Sequence, residues 1–263
     1  IPFPQQDVHH YNNIWNTKSI RRYLKDLQEL GATSILVGGC VRDYFLNIPV
    51  KDYDVEIFGI DSLDIIQKSL EKFGSVKLVG KSFGVLTLRV NEYDFDFALP
   101  RTEKKIGNTH QDFEVVTNAN LSFKEAAIRR DFTINAIGYD FFKQEFLDPF
   151  DGINDLKNKT IKHINDKTFI EDSLRVYRAI QFASRFDFKI AENTKELCKQ
   201  IVLNDELTYL PKERVYEEFK KLFLKSEKPS IGFELLRELG LLKYFQELEV
   251  LIDCIQEPEY HPE

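Results

Sequence analysis

The sequence predicts a small mixed α/β unit followed by an all-α segment. Strand-like runs alternate with helical periodicity as far as Leu99, and beyond Phe169 nearly every apolar position recurs at helical spacing. The chain is 263 residues long, with 43% hydrophobic and 30% charged residues, enough to bury a substantial core.

From Asn16 to Gly31, apolar residues at Ile20, Leu24, Leu27 and Leu30 follow the three-to-four spacing of an amphipathic helix that stops at a glycine. Ile35, Leu36 and Val37 form a strand running into Gly38 and Gly39, and VRDYFL reads as a short helix, so the glycines mark a strand-to-helix turn. DYDVEIF, SVKLVGKSFGVLTLRV and EYDFDFAL then alternate as strands, with a helix from Leu63 to Phe73 between the first two. Arg101 to Val116 is polar and aperiodic, carries Gly107, Asn108 and His110, and reads as a long flexible loop. After Asp140 the turn-rich DPFDGINDLKNK leads into helices, with further breaks at Pro211 and Gly240. The boundaries therefore fall at 1–140, 141–211 and 212–263.

No apolar run approaches the roughly 20 residues of a membrane helix, and IPFPQQDVHHYNNIW lacks a secretory signal, so residue 1 reads as a processed end of a soluble, cytoplasmic protein. Cys40, Cys198 and Cys254 are too scattered for a disulfide framework or a zinc site, and read as reduced thiols. A net charge of −7 argues against non-specific coating of nucleic acid. Local basic tracks remain at Arg101, Lys104 and Lys105, at Lys157, Lys159 and Lys162, and at Lys212, Arg214, Lys220 and Lys221; solvated faces are the alternative.

Asp52 and Asp54 in KDYDVEI are one residue apart on a strand, so both carboxylates share a face. Their repulsion is the kind that divalent cations relieve: one Mg²⁺ ion activates an attacking hydroxyl, and a second binds a triphosphate and steadies leaving pyrophosphate. A surface DxD is the alternative. Gly38 and Gly39 allow backbone N–H groups to approach an anion at the start of a helix, Arg42 can clamp phosphate, and Asp43 pairs with a neighbour or caps the helix. Asp96 is a candidate third metal-facing carboxylate, with Asp94 sharing its parity. In RRD, Arg129 and Arg130 suit a triphosphate and Asp131 suits ribose hydroxyls, with a surface ion-pair cluster as the alternative.

LVGGCVRD and KDYD, then ALPRTEKKIGN, RRDFTINAIGYD, LDPFDGINDL, EDSLRVYRAIQFASRF and KERVYEE, occur in the order seen in class II tRNA nucleotidyltransferases and the related bacterial poly(A) polymerases. The resemblance runs from about residue 35 to residue 219. It implies a nucleotidyltransferase head, a helical neck and a helical body, with the active site between head and neck. It further implies Asp52 and Asp54 as metal ligands for two Mg²⁺ ions and tRNA, CTP and ATP as partners. The triphosphate turn would be Gly38, Gly39, Arg42 and Asp43, and the nucleotide contacts Arg129, Arg130 and Asp131, with Asn135 nearby.

Asp172 and Arg175, three apart in EDSLR, would project from one face of a helix. A carboxylate accepts from the exocyclic amino group of cytosine or adenine, and arginine donates to the adjacent ring nitrogen, whereas uracil and guanine oppose the carboxylate with a carbonyl. An ordinary intrahelical ion pair is the alternative; the resemblance makes EDSLR the amino-acid template, with Arg178 following and Glu171 orienting Arg175 or the helix start.

The loop with Arg101, Thr102, Glu103 and Lys104 resembles that of family members adding both C and A, and Glu213, Arg214 and Glu217 are matched to an ERxxxE brace. Relatives of this branch continue into an HD phosphohydrolase domain, which the chain ending YHPE lacks; His110, His163 and His261 show no metal-ligand spacing. The rival readings are a poly(A) polymerase, a partial CC- or A-adding enzyme, a non-catalytic RNA-binding module, and nucleotidyl transfer to a protein or antibiotic.

Overall fold

The computed structural model describes residues 18–79, 84–105, 113–250 and 252. Gly107, Asn108, His110, Cys254 and His261 lie outside the described residues. The chain divides into two compact units between Asp172 and Ser173.

In the first unit, α1 (Lys18–Glu29) precedes β1 (Thr33–Val37), α2 (Gly39–Phe45), β2 (Asp52–Phe58), α3 (Leu63–Leu70), β3 (Val76–Val79), β4 (Val85–Val90) and β5 (Tyr93–Ala98). After β6 (Arg101–Lys105) and β7 (Phe113–Thr117) come α4 (Phe123–Ala127), a tight helical turn at Thr133–Asn135, β8 (Gly138–Asp140), β9 (Glu145–Leu147), α5 (Gly152–Lys157) and α6 (Asp166–Glu171). Seven strands form one sheet in the order β3-β4-β5-β2-β1-β8-β9. Apart from the parallel β2–β5 pair, its ladders are antiparallel.

The apolar spacing of α1 works as read for Ile20, Leu24 and Leu27, all buried, whereas Leu30 lies past the helix end and is 51% exposed. In β1 every residue after Thr33 is buried, which fits a strand between two partners with covered faces. Ile35, Val37, Phe58 and Ala126 form one core cluster, closed by Leu121, Phe123 and Leu147. A Cβ at Gly138 would stand 2.6 Å from Phe123 and 2.8 Å from Ile35, so only glycine lets β8 lie against this cluster.

Two expectations are corrected here. The boundary at Asp140 falls inside the sheet, because β8 pairs with both β1 and β9 and so ties residues up to Leu147 into it. The aperiodic stretch from Arg101 is also not simply a loop. Arg101, Thr102, Glu103 and Lys104 lie on β6, which pairs antiparallel with β7 from Arg101↔Thr117 to Lys105↔Phe113. Ladder hydrogen bonds order this hairpin, and such order leaves no apolar period to read.

The second unit is helical: α7 (Leu174–Phe186), α8 (Glu192–Leu203), α9 (Lys212–Lys225), α10 (Pro229–Glu238) and α11 (Gln246–Glu249). The central helix is α7, buried at Leu174, Val176, Tyr177, Ala179, Ile180, Phe182 and Ala183, with α9 and α10 packed against it. Pro211 precedes α9 and Gly240 follows α10 with φ 78°, so both breaks separate helices within this unit.

Candidate active site

Strand parity places Asp52 and Asp54 on one face of β2, both exposed, while Tyr53 and Val55 between and beyond them are buried. The β2–β5 register sets Asp52 beside Asp94 and Asp54 beside Asp96, and the β1–β2 register sets Val37 opposite Asp54. A single residue, Gly38, thus separates the end of β1 from the start of α2 directly next to a carboxylate-bearing strand.

At that turn Gly38 has φ 73° and ψ −137°, a backbone conformation open to glycine and costly to other residues. A Cβ at Gly38 would lie 3.2 Å from Nη1 of Arg130 and 3.3 Å from Oδ2 of Asp54. The bare α-carbon therefore lets a cation and an anion close on the turn from two sides. Cys40, next in the chain, is inert: its Sγ donates to the Val37 carbonyl at 3.1 Å, and burial, reinforced by the charge of Asp54, pushes its thiol up to about 12.

Arg42 is 5% exposed. Its Nε donates to Oδ1 of Asp43 at 2.7 Å, and its Nη1 donates to Oδ1 of Asn135 at 2.7 Å. Asn135 in turn donates from Nδ2 to Oδ1 of Asp131 at 2.9 Å, an oxygen that also accepts from the Phe132 amide at 2.8 Å. This chain of bonds ties the glycine turn to the RRDFTIN segment across 93 residues of sequence.

Arg129 and Arg130 converge on Glu56, donating from their Nη2 atoms to its Oε1 at 3.0 and 2.9 Å. Glu56 is 2% exposed, on the parity of Asp52 and Asp54. Its role escaped sequence reasoning; the acidic residue at every second position of DYDVEIF was the available signal.

Although Asp54 keeps solvent access, protein packed around its carboxyl raises its pKa above the ordinary carboxylate value. Arg130 opposes that rise, and Asp96, Glu56 and Asp52 add to it. A divalent cation between Asp52 and Asp54 would relieve this repulsion, and one or two carboxylates completed by substrate phosphate oxygens are a usual Mg²⁺ donor set, so the residues fit the ion. Asp96, the candidate third carboxylate, stands beside Asp54 in the β2–β5 register, and its Oδ1 accepts from Thr87 Oγ1 at 2.5 Å.

The helical premise for EDSLR is corrected. Asp172 ends α6 in an extended conformation (φ −120°, ψ 95°), and α7 begins only at Leu174, so Asp172 and Arg175 do not share a helix. Arg175 is 9% exposed on α7. Arg178 lies 3.7 Å from Oε1 of Glu218 and its guanidinium stands over the Phe182 ring at 5.2 Å. Glu218 is 4% exposed and also accepts from Lys221 at 2.8 Å. Counting ERxxxE from Glu213 arrives at Glu218, whereas Glu217 is exposed and pairs only loosely with Lys220 at 3.7 Å. The acidic end of the brace is therefore Glu218.

Residues 34–162 match the poly A polymerase head domain, and residues 187–251 match the probable RNA and SrmB-binding site of polymerase A. A multifunctional CCA protein of Pseudoalteromonas atlantica is 40% identical over 87% of this chain and 55% of its own length; that of Haemophilus ducreyi is 38% identical over 87% and 54%. The chain spans about half the length of the curated relatives it matches. An apo form of a CCA-adding enzyme superposes with a TM-score of 0.74 at 30% identity, over 86% of this chain and 53% of that one. A tRNA nucleotidyltransferase complexed with a primer tRNA and an incoming ATP analog gives 0.70 at 31%, over 84% and 61%. The glycine turn, the DxD strand and the RRD segment all lie within the matched head, and the chain belongs to the tRNA nucleotidyltransferase and poly(A) polymerase family.

Proposed function

We propose that this chain carries the catalytic and base-selecting part of a cytoplasmic enzyme that adds CCA to tRNA 3′ ends from CTP and ATP, with two Mg²⁺ ions. The observation that carries the reading is the meeting of Asp54 and Arg130 at Gly38, at the start of a strand-to-helix turn and on the face that also bears Asp52. Bound there, Mg²⁺ supplies Lewis-acid stabilisation of the charge that develops on attacking and leaving oxygens.

In this reading the 3′-hydroxyl of the RNA attacks the α-phosphorus of CTP or ATP in line. The new bond joins O3′ to the α-phosphorus, the α–β bridging bond breaks, and pyrophosphate leaves. Gly38 and Gly39 let the backbone approach the triphosphate, and Arg129 and Arg130 offset its charge. Arg42, Asp43, Asp131 and Asn135 act from behind, fixing the turn against the RRD segment. Asp172 accepts from the exocyclic amino group and Arg175 donates to N3 of cytosine or N1 of adenine, while Arg178 is steadied by Glu218.

The test is incubation with Mg²⁺, a tRNA lacking its terminal CCA and all four nucleoside triphosphates, followed by sequencing of the extended ends. Addition of CCA and then a stop supports the reading. The family name attached to residues 34–162 favours one rival, poly(A) synthesis, which would appear as long A tails. C addition alone would mark a partial enzyme, and no extension would refute activity in this chain.

A further inference from the structure

Glu56 stands outside the mechanism so far, yet it is among the most deeply buried carboxylates described, at 2% exposure. One of its oxygens, Oε1, accepts from both Arg129 and Arg130. Its other oxygen, Oε2, is buried and has no hydrogen-bond partner among the described residues. Burying a carboxylate this way is costly unless the fold uses the charge.

Both arginines share one carboxylate oxygen, and for Arg130 that hydrogen bond also decides which way the rest of the guanidinium faces. Arg130 spends Nη2 on Glu56, and its Nη1 reaches the Gly38 turn, within 3.2 Å of where a Cβ would stand. A guanidinium is planar, so pinning one nitrogen and packing the group leaves little freedom for the other.

We propose that Glu56 is a positioning residue: it holds Arg130 aimed at the glycine turn, with Arg129 bound to the same oxygen, so that the chain recognises the terminal phosphates of its nucleotide. This deepens the proposed nucleotidyltransferase function and rests on it. Without Glu56, Arg130 keeps its charge but loses its aim, and the loss falls on the β- and γ-phosphates rather than on nucleoside contacts.

The test compares equilibrium binding of CTP and CMP to the full chain and to Glu56→Gln, with Glu56→Ala alongside. The expected result is that Glu56→Gln lowers the preference for CTP over CMP by about tenfold, the scale of one charge-assisted hydrogen bond. CMP affinity stays unchanged, and the double variant Glu56→Gln/Arg130→Ala binds no worse than Arg130→Ala. A general structural defect would weaken CTP and CMP equally, and that outcome overturns the proposal. A Glu56→Gln protein that keeps the full preference for CTP overturns it alone. A parent chain that shows no preference for CTP overturns the nucleotidyltransferase reading with it. If Glu56→Ala does not fold, Glu56→Gln, which keeps an acceptor oxygen and the volume, still decides.

Discussion

Asp54 combines the two demands of its site, since it must stay ionised to hold a cation yet sits where ionisation is opposed. Its folded pKa lies above the ordinary carboxylate value, chiefly through desolvation. The ionised form therefore costs stability at every pH above that ordinary range, and the cost disappears as pH falls and the group protonates. Replacing Asp54 by Asn should leave the thermal midpoint at neutral pH unchanged or raise it, while nucleotide transfer falls at least about a thousandfold, on the order of 4 kcal/mol of transition-state stabilisation. A midpoint that drops together with activity would show Asp54 to be a structural residue. Gly38→Ala should behave in the opposite way. It forces φ 73° on a residue with a Cβ and crowds Arg130 and Asp54, costing about 1–3 kcal/mol in urea denaturation and weakening CTP binding. Cys40 and Cys198, with thiols pushed up by burial to about 12 from 9.0, should resist alkylation at pH 8 in the folded chain and react once it is denatured. Because the folded state keeps these protons longer than the unfolded state, their stabilising contribution is complete below pH 9 and is lost as pH rises through about 12.

Elements differ in how much of themselves they display in sequence. The carboxylate pair on β2 was legible because a period of two needs only neighbouring residues. The bond from Arg42 to Asn135 and those from the arginines to Glu56 were not, because they join positions 93, 73 and 74 residues apart. The β8 and β9 strands are three residues each, too short to show a period, so the sheet's far edge was read as a domain boundary. On α9 the error was one of register. Glu218 turns inward to Arg178 and Lys221 while Glu217 faces solvent, a difference of about 100° around the helix. Glu218→Ala should therefore cost about 1–3 kcal/mol, since it strips a buried acceptor from two cations. Glu217→Ala should stay within about 0.5 kcal/mol. Urea midpoints measure both, and equal shifts would put the brace at neither residue.

At the scale of the whole molecule, charge constrains how RNA can be held. The chain is acidic, at −7, and several lysines of the helical unit are paired with carboxylates. Lys221 lies 2.8 Å from Glu218, Lys228 lies 3.0 Å from Asp187, and Lys195 lies 2.7 Å from Glu238. Each such pair must exchange a carboxylate for a phosphate before it contributes to RNA binding, so these cations add little net attraction. If tRNA is the substrate, its affinity should fall only gently with salt: log Kd against log salt should have a slope of about 2 to 4, the release expected for about three to five phosphates. Filter binding or fluorescence anisotropy between about 50 and 200 mM salt measures that slope within the range where the relation holds. A slope near 8 would demand an extended basic track beyond these ion-paired lysines. A slope near zero would mean that recognition rests on stacking and shape alone, leaving Arg130 at the glycine turn to act on the nucleotide and not on the RNA.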